Sequence, residues 1–261
     1  MKGSVSYVPT YHRRTERPRP LVTAQFQTIV LSLTDAHCDQ DYPDMVITST
    51  ASTPDRTAYI LGESEESPLP YLLRDVKILE KAGADAIVLL CNSAHCFYDA
   101  LAASVSVPIV NLIETAADAV AERAAETIGI MATTGNLRSG LYQDALSRRG
   151  IAYVLPDQTM QQKVMEIIYT DLKATGKCRP DSVAEVVSYY RQKGADSILL
   201  GCTELSILYR AGIVDPRFCV DSLTTLAEKS IDLSGKSKRP DPLTVDTVVF
   251  DGREAAAPVL K

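Results

Sequence analysis

The chain has 261 residues, which is enough for one large domain or for two lobes of about 100 to 150 residues each. Its hydrophobic content of 46% is ordinary for a globular protein with a buried core, and its net charge of −6 gives no reason to expect nucleic-acid binding. No apolar run approaches the roughly 20 residues that span a membrane, and the first residues lack the apolar core of a signal peptide, so we expect no membrane partner and a cytoplasmic location.

Short apolar runs rich in β-branched residues alternate with longer helical patterns, which predicts an α/β fold with mostly parallel strands. Helices are predicted at 69–83 and 181–194, and each ends on a glycine suited to a left-handed C-terminus. The stretch 4–9 carries only a weak strand pattern. The clear strand patterns lie at residues 45–49, 86–91, 108–112, 127–132, 151–155, 197–202 and 218–221.

One helix–strand unit occurs twice in the sequence. The segment GADAIVLLCNSA at 83–94 returns as GADSILLGCTEL at 194–205, with glycine, aspartate and cysteine at one constant offset. This duplication predicts two pseudo-symmetric lobes that face each other across an active-site cleft. The predicted divisions are an atypical N-terminal segment (1–20), a first lobe (21–115 with a returning helix 222–234), a second lobe (116–221) and a tail (235–261).

The duplicated unit places Cys91 and Cys202 at the carboxyl ends of parallel strands, where open α/β sheets bind ligands. Polar residues follow each cysteine and are predicted to begin a helix, whose N-terminal potential favours a thiolate and lowers the thiol pKa. Two thiols on opposite sides of a cleft suit a reaction that removes a proton from one face of a carbon and returns one to the other face. The alternative is that buried cysteines merely finish buried strands.

The remaining cysteines are predicted to be structural or incidental: Cys38, Cys96, Cys178 and Cys219. A metal site that combines His37, Cys38, Cys91, His95 and Cys96 fits no common zinc spacing, so no metal is expected.

The motifs CNSAH (91–95) and GCTEL (201–205) resemble the two cysteine motifs of the cofactor-independent aspartate/glutamate racemase superfamily, closest to its aspartate racemase branch. The resemblance implies a two-lobed α/β fold, a small acidic amino acid as substrate, no pyridoxal phosphate, no metal and a homodimer. It also implies that Cys91 and Cys202 alternate as catalytic acid and base, and that His95 and Glu204 tune the thiols.

The same resemblance implies the substrate-binding residues. The loop STPDRTAYIL (52–61) is similar to a loop whose arginine grips a substrate carboxylate, here Arg56, and a guanidinium offers a carboxylate a bidentate fork. The stretch 164–176 is similar to one that supplies a lysine, here Lys173, with Lys163 and Lys177 nearby. The other implied binding residues are Asn92, Ser93, Thr133, Thr134, Thr203 and Glu204.

The N-terminal region departs from the family pattern. The family has a central strand and a glycine-rich turn where this chain has RPRPLVTAQFQTIV (17–30), and proline cannot donate to a central ladder. An altered reading frame or a divergent N-terminus would explain the difference, and either predicts that a central strand is missing. Two alternatives to an aspartate racemase follow: an impaired homologue that binds a small dicarboxylate, and a racemase or isomerase of another carboxylate such as glutamate or maleate.

Overall fold

A computed structural model describes residues 4–8, as backbone, and residues 21–239. Residues 1–3, 9–20 and 240–261 lie outside it, so most of the predicted N-terminal segment and C-terminal tail fall outside the described residues. No helix within the described part is long and apolar enough to cross a lipid bilayer.

Two parallel sheets of four strands each organise the described chain. The strand order is β2-β1-β3-β4 in the first sheet and β6-β5-β7-β8 in the second, so the two sheets share one topology. This repeat confirms the α/β fold that the duplicated sequence predicts. The strands are β1 (Ser4–Val8), β2 (Asp44–Ile47), β3 (Ala86–Leu89), β4 (Ile109–Val110), β5 (Thr127–Met131), β6 (Ala152–Val154), β7 (Ser197–Leu200) and β8 (Cys219–Asp221).

The central strand of the first sheet is β1, although the sequence predicted that this strand is missing. β1 pairs in parallel with β2 on one side and with β3 on the other, and Val5 lies opposite both Met45 and Ala86. Its valines and tyrosine favour a pleated strand, and no proline falls within it to interrupt either ladder. The prediction was wrong because the strand lies upstream of the proline- and arginine-rich stretch rather than within it.

Helices cover the sheets and connect the strands. The structure confirms both predicted helices, as α3 and α9, and Gly83 and Gly194 after them have φ of +84° and +82°, as a left-handed C-terminus requires. The α-helices are α1 (Leu21–Leu33), α2 (Arg56–Leu61), α3 (Leu69–Lys81), α4 (Tyr98–Ala102), α5 (Leu112–Glu122), α6 (Thr134–Ser139), α7 (Leu141–Arg148), α8 (Gln158–Met165), α9 (Pro180–Gln192), α10 (Ser206–Arg210) and α11 (Ser222–Leu233).

A shared hydrophobic core joins the two sheets. Val88 of the first sheet and Leu199 of the second belong to one cluster of buried side chains, together with residues of α1, α5 and α11. α11 follows the last strand of the second sheet but packs on α1 and α5. The predicted division at residues 115/116 falls inside α5, whose buried face contributes to the same core. Because the core is continuous, the cleft between the sheets has well-defined walls.

Candidate active site

Cys91 and Cys202 line one narrow cleft, and each follows the last residue of a duplicated strand by two positions. The space open to the centre of a water-sized sphere is about 20 Å³, which accommodates about one ordered water. The lining residues are Arg56, Thr57, Leu90, Cys91, Asn92, Ser93, Thr133, Lys173, Cys202, Thr203 and Glu204.

Arg56 lies beside Cys91 at the start of α2. The carboxylate of Asp55 caps this helix and accepts a hydrogen bond from the Ala58 amide at 3.1 Å. Arg56 is only 3% exposed. Burial disfavours its charge, yet interactions with Cys91 first, and then with Asp55 and Glu204, hold the pKa of Arg56 above its usual value. The cleft therefore contains a permanent positive charge beside the Cys91 side chain.

The carboxylate of Glu204 contacts both Cys202 and Lys173. The Sγ of Cys202 donates to Oε2 of Glu204 at 2.9 Å, and Oε1 of Glu204 forms an ion pair with Nζ of Lys173 at 3.7 Å. Burial, and then the negative charge of Glu204, raise the pKa of Cys202 well above its usual value, while Lys173 acts in the opposite direction. Cys202 is therefore a protonated thiol in this form.

At Cys202 this direction contradicts the predicted lowering of the thiol pKa. The prediction relied on an α-helix that begins after each cysteine, but the structure has short 3₁₀ segments there, Ser93–Phe97 and Thr203–Leu205, which continue into the five-residue helices α4 and α10. A segment this short aligns few peptide dipoles and so contributes little positive potential. At Cys202, desolvation and the charge of Glu204 determine the direction of the pKa shift instead.

His95 supports the loop that carries Cys91 rather than the thiol itself. Its Nε2 accepts from the Leu112 amide at 3.0 Å, so its Nδ1 carries the proton and donates to the Cys91 carbonyl at 2.9 Å. Burial lowers the pKa of His95 to about 4, although bonds to backbone groups oppose that shift. The ring is therefore neutral and joins the Cys91 loop to the start of α5.

Hydroxyl groups connect the two walls of the cleft. Thr133 Oγ1 accepts from Thr57 at 3.3 Å and lies 3.3 Å from Ser93 Oγ, and it also caps α6 by accepting from the Asn136 amide. Gly135 permits this approach, because a Cβ there would lie 2.9 Å from the Cα of Thr57. The backbone contact between α2 and α6 therefore helps to place Arg56.

Lys173 is the lysine that lines the cleft, whereas Lys177 is exposed and Lys163 pairs with Glu185. The segment that carries Lys173, Glu166–Lys173, is wound as a π-helix after α8. Its Nζ lies 3.8 Å from the centre of the Tyr169 ring. Burial disfavours the ammonium charge, but Glu204 first, and then Tyr169 and Cys202, raise the pKa of Lys173. Wide turns of this kind are frequent at functional sites.

One predicted binding residue lies outside the cleft. Thr134 lines a neighbouring groove with Gln161, whose Nε2 donates to Thr134 Oγ1 at 3.1 Å. It fails to reach the cleft because α6 begins at this residue and turns its side chain away from Thr133. None of the four other cysteines lines the cleft either. No group of three or more potential metal ligands lies within residues 4–8 and 21–239.

Three contributors to the site were missed by the sequence reasoning: Thr57, Leu90 and Tyr142. Thr57 stands beside Arg56 within the quoted loop, so its position was a usable signal. Leu90 directly precedes Cys91. Tyr142 lies far from both cysteines in sequence and carries no local pattern that would have identified it.

Comparisons with known proteins show which family this chain resembles. Residues 19–229 match the family described as Asp/Glu/Hydantoin racemase. The glutamate racemase of Persephonella marina is 26% identical over 205 residues, 73% of this chain and 75% of that protein. The broad specificity amino-acid racemase RacX of Bacillus subtilis is 27% identical over 193 residues, 71% of this chain and 82% of RacX. The structure of Picrophilus torridus aspartate racemase superposes with a TM-score of 0.75 at 24% identity, covering 91% of this chain and 96% of its own, a likeness of fold.

Proposed function

Since this chain belongs to the Asp/Glu/Hydantoin racemase family, we propose that it racemises aspartate by proton transfer between Cα and the thiols of Cys91 and Cys202. Family membership makes the chain an amino-acid racemase; the substrate and the two-thiol mechanism are the proposal. The observation that carries it is the shared cleft, in which both cysteines stand with Arg56 and Lys173.

The charges of the cleft favour an acidic amino acid. Arg56 and Lys173 supply two positive charges, and Glu204 supplies one negative charge that is already shared with Lys173. Aspartate brings two carboxylates and one ammonium group, which is the complementary set. A guanidinium in a buried position binds a carboxylate through two hydrogen bonds, so Arg56 is the candidate partner of the side-chain carboxylate.

A two-base reaction requires one thiol and one thiolate in the resting pair, and the raised pKa of Cys202 makes it the candidate for the thiol. The Cys91 thiolate beside Arg56 takes the Cα proton, and the Cys202 thiol delivers its proton to the opposite face of the planar carbanion. The product is the other enantiomer, with Cys91 now a thiol and Cys202 a thiolate. When that enantiomer binds, the roles reverse. The reaction removes one proton from Cα and returns one to it, so it needs no electron acceptor.

Proton exchange in deuterated water tests the proposal. L-aspartate and D-aspartate are incubated separately with the protein, and loss of the Cα–H signal is followed by NMR. We expect exchange with inversion from both enantiomers. Cys91→Ala and Cys202→Ala should each abolish inversion, and Cys178→Ala, outside the cleft, should leave it unchanged. Unchanged inversion in both cleft variants would refute the two-thiol mechanism.

The same assay distinguishes the alternatives. Exchange of glutamate or another dicarboxylate, but not of aspartate, would change the substrate and keep the mechanism. Binding of aspartate with no exchange of any acid would identify an impaired homologue. The presence of β1 in the first sheet removes the missing central strand as a reason to expect impairment.

A further inference from the structure

A single buried tyrosine contacts both cysteine loops. Tyr142 of α7 is fully buried, and its hydroxyl donates to Oδ1 of Asn92, the residue after Cys91. Its ring packs against Gly201, the residue before Cys202, where a Cβ would lie 2.8 Å from Cε2. Glycine is therefore required at 201 for this approach, and one side chain connects the two halves of the cleft.

The other end of the Asn92 amide has no partner among the described residues. Asn92 is 3% exposed and lines the cleft, and its Nδ2 makes no hydrogen bond within the described part of the chain. A buried donor without an acceptor costs free energy, so a group that enters the cleft is the natural partner for this donor. An amide N–H pairs well with a carboxylate oxygen.

The orientation of this amide matters because its two ends have nearly the same shape and opposite polarity. Rotation by half a turn would place Oδ1 in the cleft, where it would repel a carboxylate. The Tyr142 hydroxyl opposes that rotation, since the rotation would break the hydrogen bond that the hydroxyl donates to Oδ1. Burial raises the pKa of Tyr142, so the hydroxyl keeps its proton throughout the working pH range.

We propose that Tyr142 is a positioning residue, which holds Asn92 with Nδ2 facing the cleft so that the amide donates to a substrate carboxylate. This inference rests on the proposed racemase function. It assigns Tyr142 no contact with the substrate and no part in proton transfer. Its effect passes through Asn92 alone.

The test compares two tyrosines of the second lobe. Tyr142→Phe removes the hydroxyl that holds Asn92. Tyr190→Phe is the matched control. Tyr190 is also fully buried and packs on a glycine, Gly129, but its hydroxyl donates to the Ile130 carbonyl at 2.6 Å and not to a residue that lines the cleft. Thermal unfolding of both variants measures the cost of losing a buried hydroxyl, and kcat and KM are measured well below both transitions.

We expect Tyr142→Phe to lower kcat/KM for aspartate about 10-fold, mostly through KM, and Tyr190→Phe to change it less than about twofold. In an Asn92→Ala background, Tyr142→Phe should have no further effect, because the amide through which it acts is absent. Equal effects of the two phenylalanine variants, or an undiminished effect of Tyr142→Phe in the Asn92→Ala background, would overturn the proposal.

A second readout separates this inference from the proposed function. Dissociation constants for aspartate, measured by calorimetry, should rise in Tyr142→Phe and stay constant in Tyr190→Phe. If the wild-type protein binds aspartate but never exchanges its Cα proton, the racemase proposal fails, while the same pair of dissociation constants still decides whether Tyr142 positions Asn92.

Discussion

Replacement of Glu204 by glutamine tests why Cys202 retains its proton. The carboxylate accepts from the thiol at 2.9 Å, and both its charge and this bond favour the neutral thiol. Glutamine keeps the size of the side chain and an oxygen acceptor but removes the negative charge. The positive charge of Lys173, 3.7 Å from Glu204 in the wild-type protein, would then act on Cys202 without its counter-charge.

The size of the effect follows from the short distance. Two unit charges about 3 Å apart interact by about 5 kcal/mol at an effective dielectric constant of about 20. That energy corresponds to about 4 pKa units. Because Glu204 is partly exposed and its charge is shared with Lys173, we expect a smaller decrease, of about 1 to 2 units, in the pKa of the Cys202 thiol.

The assay is the pH dependence of kcat/KM for aspartate, followed by chiral chromatography. Activity requires one proton on the pair of thiols, so the basic limb reports loss of that last proton and belongs to the pair as a whole. Glu204→Gln should move this limb to lower pH by at least 1 unit. The basic limb of kcat/KM must fall at the same pH for L-aspartate and D-aspartate, because the equilibrium constant of a racemisation is 1.

Glu166→Gln is the matched control, since Glu166 is well exposed and pairs with Arg179 at 3.5 Å on the surface. It should leave the basic limb in place. A basic limb that is unchanged in Glu204→Gln, or displaced to higher pH, would refute the reasoning that Glu204 raises the thiol pKa.

Two further perturbations test the supports of the cleft. Gly135→Ala brings a Cβ to 2.9 Å from the Thr57 Cα, so α2 must shift and carry Arg56 with it. We expect kcat/KM to fall at least 10-fold while the circular dichroism spectrum stays near-native. Wild-type activity in this variant would contradict the expectation. The pKa of His95 lies below its unfolded value of 6.5, at about 4, so the unfolded chain binds more protons between these values and stability decreases as pH falls through that window. His95→Gln is the reference, because glutamine keeps an acceptor for the Leu112 amide and does not titrate. Between pH 7 and pH 4.5, the free energy of unfolding in urea should decrease by about 2 kcal/mol more in the wild-type protein than in this variant. Equal decreases would refute the lowered pKa of His95.

The sequence predicted those parts of the fold and site that depend on local pattern. Strands β2 to β8 each overlap an apolar run of the sequence, and Gly83 and Gly194 follow the ends of their helices. The sequence predicts both features because hydrophobic periodicity and the backbone freedom of glycine act over a few neighbouring residues. Strand β1 was missed because its pattern is short and weak, and its two partners, β2 and β3, stabilise it from distant parts of the chain. Thr134 was assigned to the cleft beside Thr133, but α6 begins at Thr134, whose hydroxyl instead accepts from Gln161 in the neighbouring groove.

By itself, the sequence determined that two equivalent strands each end near a cysteine, because residue types and register are enough for that. The arginine and the lysine were implied by the resemblance to the racemase family and not by register. Only the tertiary structure decided how these groups act on one another. The resting proton of Cys202 depends on its burial and on Glu204, and the orientation of Asn92 depends on Tyr142 from a different helix. Charge, burial and hydrogen-bond partners are properties of neighbours in space, and the core shared by the two sheets is what makes these residues neighbours.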